Sequence, residues 1–209
     1  MRTHSLFAGA ALAIAACGQS ASPPAETATR PMSGEYVLSC ADFANLAPTA
    51  IVQRFGAENV TTEMLPGPEG ETYEATLVYA HDPARRLEIT WNEGRTAIAS
   101  VMVSNAGTRW RGAEAYSVGT PIGDIERLNV MPFKLWGFGW DYGGWVSDWN
   151  LGTLSQTPGC NTRMRFEPRN GANTSAQGDS EFNSNSAEMI DADPAVAAFG
   201  LMFGDSGSE

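Results

Sequence analysis

Apolar positions recur at helical spacing in two short stretches and at alternate positions through most of the rest. The chain therefore reads as helices set between strands. Residues 48–56, PTAIVQRFG, and 121–129, PIGDIERLN, predict the two helices. Each opens on a proline, whose missing N–H is harmless in a first turn. They close on Gly56 and Asn129, residue types that tolerate a left-handed cap. In the second, Thr120 is placed to cap the start and Asp124 and Glu126 lie near the positive end. Ile122, Ile125 and Leu128 fall on one stripe.

Strand patterns follow each helix. After the first they cover Asn59–Met64, Tyr73–Ala80, Arg86–Trp91 and Ala97–Ser104, with an Asp-Pro break at 81–85. After the second they cover Phe133–Tyr142, Trp145–Trp149, Thr162–Glu167 and Ala197–Phe203. Overlaid at an offset of 73, Pro48 meets Pro121, Val52 meets Ile125, Arg54 meets Arg127 and Phe55 meets Leu128. The expected fold is α+β: two tandem helix-plus-antiparallel-meander modules, about 34–112 and 113–209, forming one mostly antiparallel sheet domain. A chance match between two short helices is the competing account. Residues 168–187 are rich in Asn, Ser, Gly, Thr and acid and read as a long loop.

This element order resembles the tandem helix-plus-meander layout of the β-lactamase-inhibitor-protein-like folds, which small outer-membrane assembly lipoproteins also approach. Residues 132–149, PFKLWGFGWDYGGWVSDW, also look like a segment of uncharacterised exported bacterial proteins. That resemblance implies no particular activity.

Residues 136–149 hold four of the six tryptophans. Gly143-Gly144 predicts a two-residue hairpin turn, with Tyr142 opposite Trp145, Trp140 opposite Ser147 and Phe138 opposite Trp149. Alternation then places Trp136, Phe138, Trp140, Tyr142, Trp145 and Trp149 on one face. Gly137, Gly139, Asp141, Val146, Asp148 and Asn150 take the other. Six aromatic rings in a patch are either core or a recognition platform. As a platform, Trp140, Tyr142 and Trp145 would stack on a sugar ring or hold an extended peptide. On the reverse face Asp141 and Asp148 become diagonal neighbours at about 7–8 Å. Carboxylates about 5–9 Å apart can hydrolyse glycosides. Neither has an apolar surround to raise its pKa, and Asp beside Gly-Gly is ordinary turn chemistry.

Ahead of residue 34 the pattern is different. A basic start, Arg2, is followed by an uncharged apolar run from Leu6 to Ala16, which reads as an export signal. The run is shorter than the about 20 residues of a membrane span. It closes on Ile14-Ala15-Ala16-Cys17, which resembles the lipobox of bacterial lipoproteins. The resemblance implies cleavage before Cys17, lipidation of Cys17, and anchoring by more than one acyl chain. Gly18, rather than an aspartate, is the pattern associated with the outer membrane, facing the periplasm. Residues 18–33 are Ser, Ala, Pro and Thr without apolar period, a solvated tether.

Composition narrows the function classes. The net charge is −11, and after Arg169 there is no Lys or Arg but seven acids. Such a chain repels phosphate backbones, so nucleic acid is not an expected partner. In an oxidising compartment Cys40 and Cys160 are expected to pair as a disulfide, with two free thiols as the alternative. Neither has a second cysteine or histidine nearby, so no metal is expected, and no cofactor motif is present. His81 reads as a turn residue and Lys134 as exposed. Asp191-Ala-Asp193 lacks the calcium-loop pattern. At Arg109-Trp110-Arg111 a cation can stack on Trp110. No catalytic set stands out. The expected function is a lipid-anchored, non-enzymatic binding or assembly module of the envelope, partnered by another envelope protein or a wall polymer. The alternative is an envelope glycoside hydrolase using Asp141 and Asp148, and a structural domain with no dedicated ligand is a third reading.

Overall fold

Leu87, Ile89, Val101, Val103, Met164, Phe166, Phe199 and Leu201 all point to one side of an antiparallel sheet, as spacing at every second residue demands. The computed structural model describes Met1 and residues 36–155, 159–169, 171 and 174–204. The lipobox, Cys17 and the tether lie outside the described residues, as do Asp205 and Glu209. The elements below all belong to the unit Pro31–Glu209.

In chain order they are β1 (Val37–Leu38), α1 (Cys40–Phe43), α2 (Pro48–Phe55), β2 (Val60–Pro66), β3 (Thr72–Val78), β4 (Leu87–Trp91), β5 (Ile98–Val103) and β6 (Arg111–Gly112). Then come α3 (Ile122–Asn129), β7 (Lys134–Trp136), β8 (Val146–Asp148), β9 (Asn161–Pro168), β10 (Glu181–Asn183), α4 (Ala187–Ala192) and β11 (Pro194–Met202). The main sheet has six strands in the order β2-β3-β4-β5-β11-β9, and every pairing in it is antiparallel. A smaller sheet runs β10-β7-β8, and β1 pairs with β6 in parallel.

The class is therefore α+β with a mostly antiparallel sheet, and the first half follows its sequence pattern closely. The second half departs from it. Its strands do not make a meander of their own: β11 joins β5, β9 joins β11, and β7, β8 and β10 form the separate sheet. The reason lies in β11, PAVAAFGLM, which is almost wholly buried. A strand apolar on both faces gains most in the interior of a sheet, between β5 and β9. The segment 168–187 is likewise more than a loop. It carries β10, whose Phe182 packs against the core. It also carries Ser186, whose hydroxyl accepts the Met189 N–H at 3.3 Å to cap α4.

Helix α2 starts at Pro48 and buries Ile51 and Phe55. Helix α3 buries Ile122 and Ile125, with Leu128 packed alongside, as its stripe predicts. Two cap assignments need correction. Thr120 does not cap α3; its hydroxyl accepts the Ser117 N–H at 3.0 Å. The left-handed residue is Val130 (φ 69°) rather than Asn129. Asn129 is fully buried inside the helix end, where its amide donates to the carbonyls of Met131 (2.7 Å) and Trp149 (3.0 Å) and accepts the Leu154 N–H (3.1 Å). One side chain thereby ties α3 to the chain leaving β8. A disulfide joins Cys40 of α1 to Cys160, just ahead of β9, across 120 residues with Cα atoms 5.7 Å apart.

Candidate functional site

The aromatic segment is not the regular hairpin its glycines suggest. Lys134 faces Asp148 and Leu135 faces Val146, with a bulge between. The last rungs are Trp136 N–H to Trp145 carbonyl (2.9 Å) and Gly144 N–H to Trp136 carbonyl (3.0 Å). Residues 137–144 then leave the ladder. Phe138 pairs instead with the strand-like stretch at 176–178, giving its N–H to Ala176 and its carbonyl to the Gly178 N–H. Gly144 sits against β9, where its carbonyl accepts the Phe166 N–H at 2.9 Å. With φ at 76° and Phe166 O 2.0 Å from where a Cβ would stand, only glycine fits there. The glycine pair does turn the chain, with the Trp145 N–H on the Tyr142 carbonyl at 3.3 Å, and Gly144 also makes a close approach to a neighbouring strand.

Consequently the aromatic rings do not share one face. Phe138 and Trp149 are 6% and 9% exposed and belong to the core, Trp149 against Phe133 and with its Nε1–H on the Thr162 carbonyl. Trp136, Trp140 and Tyr142 form a chain of edge contacts, with ring centroids at 5.9 and 5.3 Å. Trp140 and Tyr142 remain 37% and 39% exposed. Trp145 is half-buried beneath the guanidinium of Arg163, 4.2 Å from the ring centroid. Of the three platform residues, Tyr142 and Trp145 line a common groove and Trp140 stands outside its lining.

That groove lies on the face of the main sheet away from the core and encloses about 600 Å³, within the range of small-molecule sites, about 300–1,000 Å³. Its floor comes from the alternate residues of the core strands: Glu88 and Thr90 of β4, Ser100 and Met102 of β5, Ala198 and Met202 of β11, Arg163 and Arg165 of β9. One end is walled by Pro66–Pro68 at the β2–β3 tip and the other by Asp141, Tyr142 and Trp145. The two walls touch: the Glu69 N–H donates to the Asp141 carboxylate at 2.8 Å. Strand β2 forms one edge of the sheet and Trp145 bridges to Arg165 on the strand at the other. A link between opposite edges requires the sheet to coil over this face, as twisted antiparallel sheets do.

The groove's polar groups are mostly committed to one another. The Tyr73 hydroxyl donates to Glu88 at 2.6 Å, and burial first, then the Glu88 carboxylate, push its pKa well above the tyrosine range. The Thr90 and Ser100 hydroxyls bond at 2.7 Å, and Arg165 pairs with Glu167 at 2.8 Å. None of these residues stands out in the sequence. The available signal is weak: polar residues alternating with core residues, as in TRMRF and LEITW, read equally well as solvent-facing positions until the sheet order brings them together.

The remaining candidates are dispersed. Asp141 belongs to the groove wall, whereas Asp148 lies on β8 opposite Lys134 and accepts the Asn150 N–H at 2.7 Å. The diagonal register expected of this pair is absent, because the loop at 137–144 carries Asp141 off the ladder. Lys134 is exposed and lies 3.7 Å from Glu181, and His81 is exposed in a turn. Asp193 caps α4 and pairs with Arg169 at 2.6 Å. Trp110 is fully buried with its Nε1–H on the Arg85 carbonyl, so the stacked cation of this region is Arg109 over Tyr36, at 4.3 Å. Among the described residues no group of three His, Cys, Asp or Glu is placed to hold a metal ion, and no helix is long and apolar enough to cross a membrane. No protein-family model, curated protein or solved structure matches the chain.

Proposed function

We propose that this chain is a lipid-anchored protein of the bacterial envelope, held at the outer membrane through Cys17, that binds a ligand or partner without transforming it. The observation that carries the binding reading is the groove over the main sheet: concave, of ligand size, and mixed in chemistry, with aromatic, hydroxyl and charged side chains converging from four strands and a loop. The anchor rests on the lipobox-like Ile14–Cys17 and the tether-like composition that follows it. The ligand on this reading is another envelope component, a protein or a wall polymer.

Two measurements test it. Metabolic labelling with palmitate should mark the wild-type chain and leave Cys17→Ser unlabelled and released from membranes; an unlabelled wild type defeats the anchor. For the groove, a photoreactive phenylalanine in place of Tyr142 should give one reproducible adduct in the native envelope, lost when Arg163 is also changed to Gln. A smear no different from that of the same probe at exposed Val52 would remove the groove as the binding surface.

A further inference from the structure

The charges of the groove are unevenly satisfied, and this bears on the chemistry of its ligand, an inference that rests on the binding reading above. Glu88 takes the Tyr73 hydroxyl, Asp141 takes the Glu69 N–H, and Arg165 has Glu167. Arg163 differs. Its guanidinium lies over the Trp145 ring and its Nη1 donates to the Met202 sulfur at 3.0 Å. Among the described residues no carboxylate pairs with it. Strand register explains why. On the groove floor Glu88 faces Met102, Met102 faces Gly200, and Gly200 faces Arg163. Three strand spacings of about 4.8 Å each therefore separate the acid from the base. Burial pulls the Arg163 guanidinium below its ordinary value, with no acid to offset it. Beside it the Met102 side chain fills the space over Gly200, its sulfur 2.4 Å from where a Cβ would stand. A part-desolvated fork of N–H donors in the groove lining favours a carboxylate over water.

The rest of the groove selects the body that carries the carboxylate. Strands β3, β4, β5 and β11 are each paired on both sides. A peptide laid across them would find no free main-chain partners, which are the source of affinity in strand addition. What the surface offers instead is the Ser104 hydroxyl, the one O–H and the acceptor lone pairs that the Thr90–Ser100 bond leaves over, and the ring of Tyr142. Hydroxyl partners and an aromatic face suit a sugar, with its O–H groups on one rim and apolar C–H groups on another. We propose that the groove binds a short carbohydrate chain bearing a carboxylate, with the carboxylate on Arg163 and a sugar ring against Tyr142.

The test titrates the intact chain in detergent with three probes: the disaccharide of N-acetylglucosamine and N-acetylmuramic acid, the neutral disaccharide of N-acetylglucosamine, and a tetrapeptide with a free C-terminus. Calorimetry gives affinity, and the indole N–H signal of Trp145 reports the site. The acidic disaccharide should bind about tenfold or more tightly than the neutral one, the scale of one charge-assisted contact. Added salt should erode that preference, Arg163→Gln should abolish it, and Tyr142→Ala should weaken both sugars. The salt readout needs no variant, so it stands even if Arg163→Gln folds poorly. Equal affinities, or a preference that survives both salt and Arg163→Gln, overturn the carboxylate assignment while leaving groove binding intact. Tighter binding of the peptide overturns the carbohydrate. No binding of any probe at millimolar concentration by a folded chain removes this proposal and the groove reading together.

Discussion

Val130 carries the sharpest local conflict in the chain. It holds the left-handed conformation after α3 (φ 69°, ψ −25°), costly for a β-branched residue, while 73% of its surface stays exposed. Asn129 over-determines the geometry by binding three main-chain groups beyond it, at Met131, Trp149 and Leu154. Replacing Val130 by Gly keeps those bonds and removes the strain, so Val130→Gly should stabilise the fold by about 1 kcal/mol in chemical denaturation. Loss of stability would show that the Val130 side chain has a partner that repays the strain. Two phenols make a second residue-scale prediction. Burial lifts Tyr73 and Tyr116 above the ordinary tyrosine range, Tyr73 further through Glu88 and Tyr116 further through Glu114. The folded chain therefore holds these protons more tightly than the unfolded one. The stability they contribute is fully present below about pH 10, the ordinary phenol value, and is lost as pH rises past it. In an alkaline titration followed by tyrosinate absorbance, Tyr73→Phe and Tyr116→Phe should each delete a late-ionising component. An unchanged late phase in either variant would contradict the assignment.

At the scale of elements, the loop at 137–144 depends on how closely Gly144 can approach β9. Gly144→Ala places a methyl group against the Phe166 carbonyl at a positive φ and should cost about 2–4 kcal/mol. Gly139→Ala shares the positive φ but meets open space, so it should cost only about 1–2 kcal/mol. Equal losses in thermal melts of the two variants would mean that the contact with β9 contributes nothing. Elements also differ in how far the sequence alone reveals them. Helices α2 and α3 and strands β2 to β5 lie close to their predicted bounds, because each has a clean period and a turn at its end. Gly143-Gly144 does turn the chain, as its signal says, yet Gly144 also lets backbone press on β9, and residues 137–142 leave the ladder. Local pattern does not separate those uses. β10 and α4 are hidden in polar composition: Phe182 and Met189 are single anchors, too few to set a period.

At the scale of the molecule, the Cys40–Cys160 bridge closes a loop of 120 residues across both halves of the chain. By the chain-entropy model a loop of this size contributes about 4–5 kcal/mol. Reduction, or Cys40→Ser with Cys160→Ser, should lower the unfolding midpoint accordingly. A midpoint unmoved by reductant would place most of the stability elsewhere, above all in the core that joins β5, β11 and β9. The groove belongs to this scale too, since no local segment contains it: residues from Pro66 to Met202 build it, brought together by sheet order.

By itself the sequence determined the α+β class, the two amphipathic helices, the first-half strands and the pairing of two cysteines. Each is written in a local period or, for the cysteines, in the two that remain when Cys17 is read as the lipobox cysteine. Only the tertiary structure decided that β11 and β9 complete the first-half sheet, that the tryptophans divide between core and groove, and that Arg163 has no acid beside it among the described residues. Those outcomes depend on which strand lies beside which, and strand order is settled by the burial the whole chain can achieve, a quantity that no window of neighbouring residues contains.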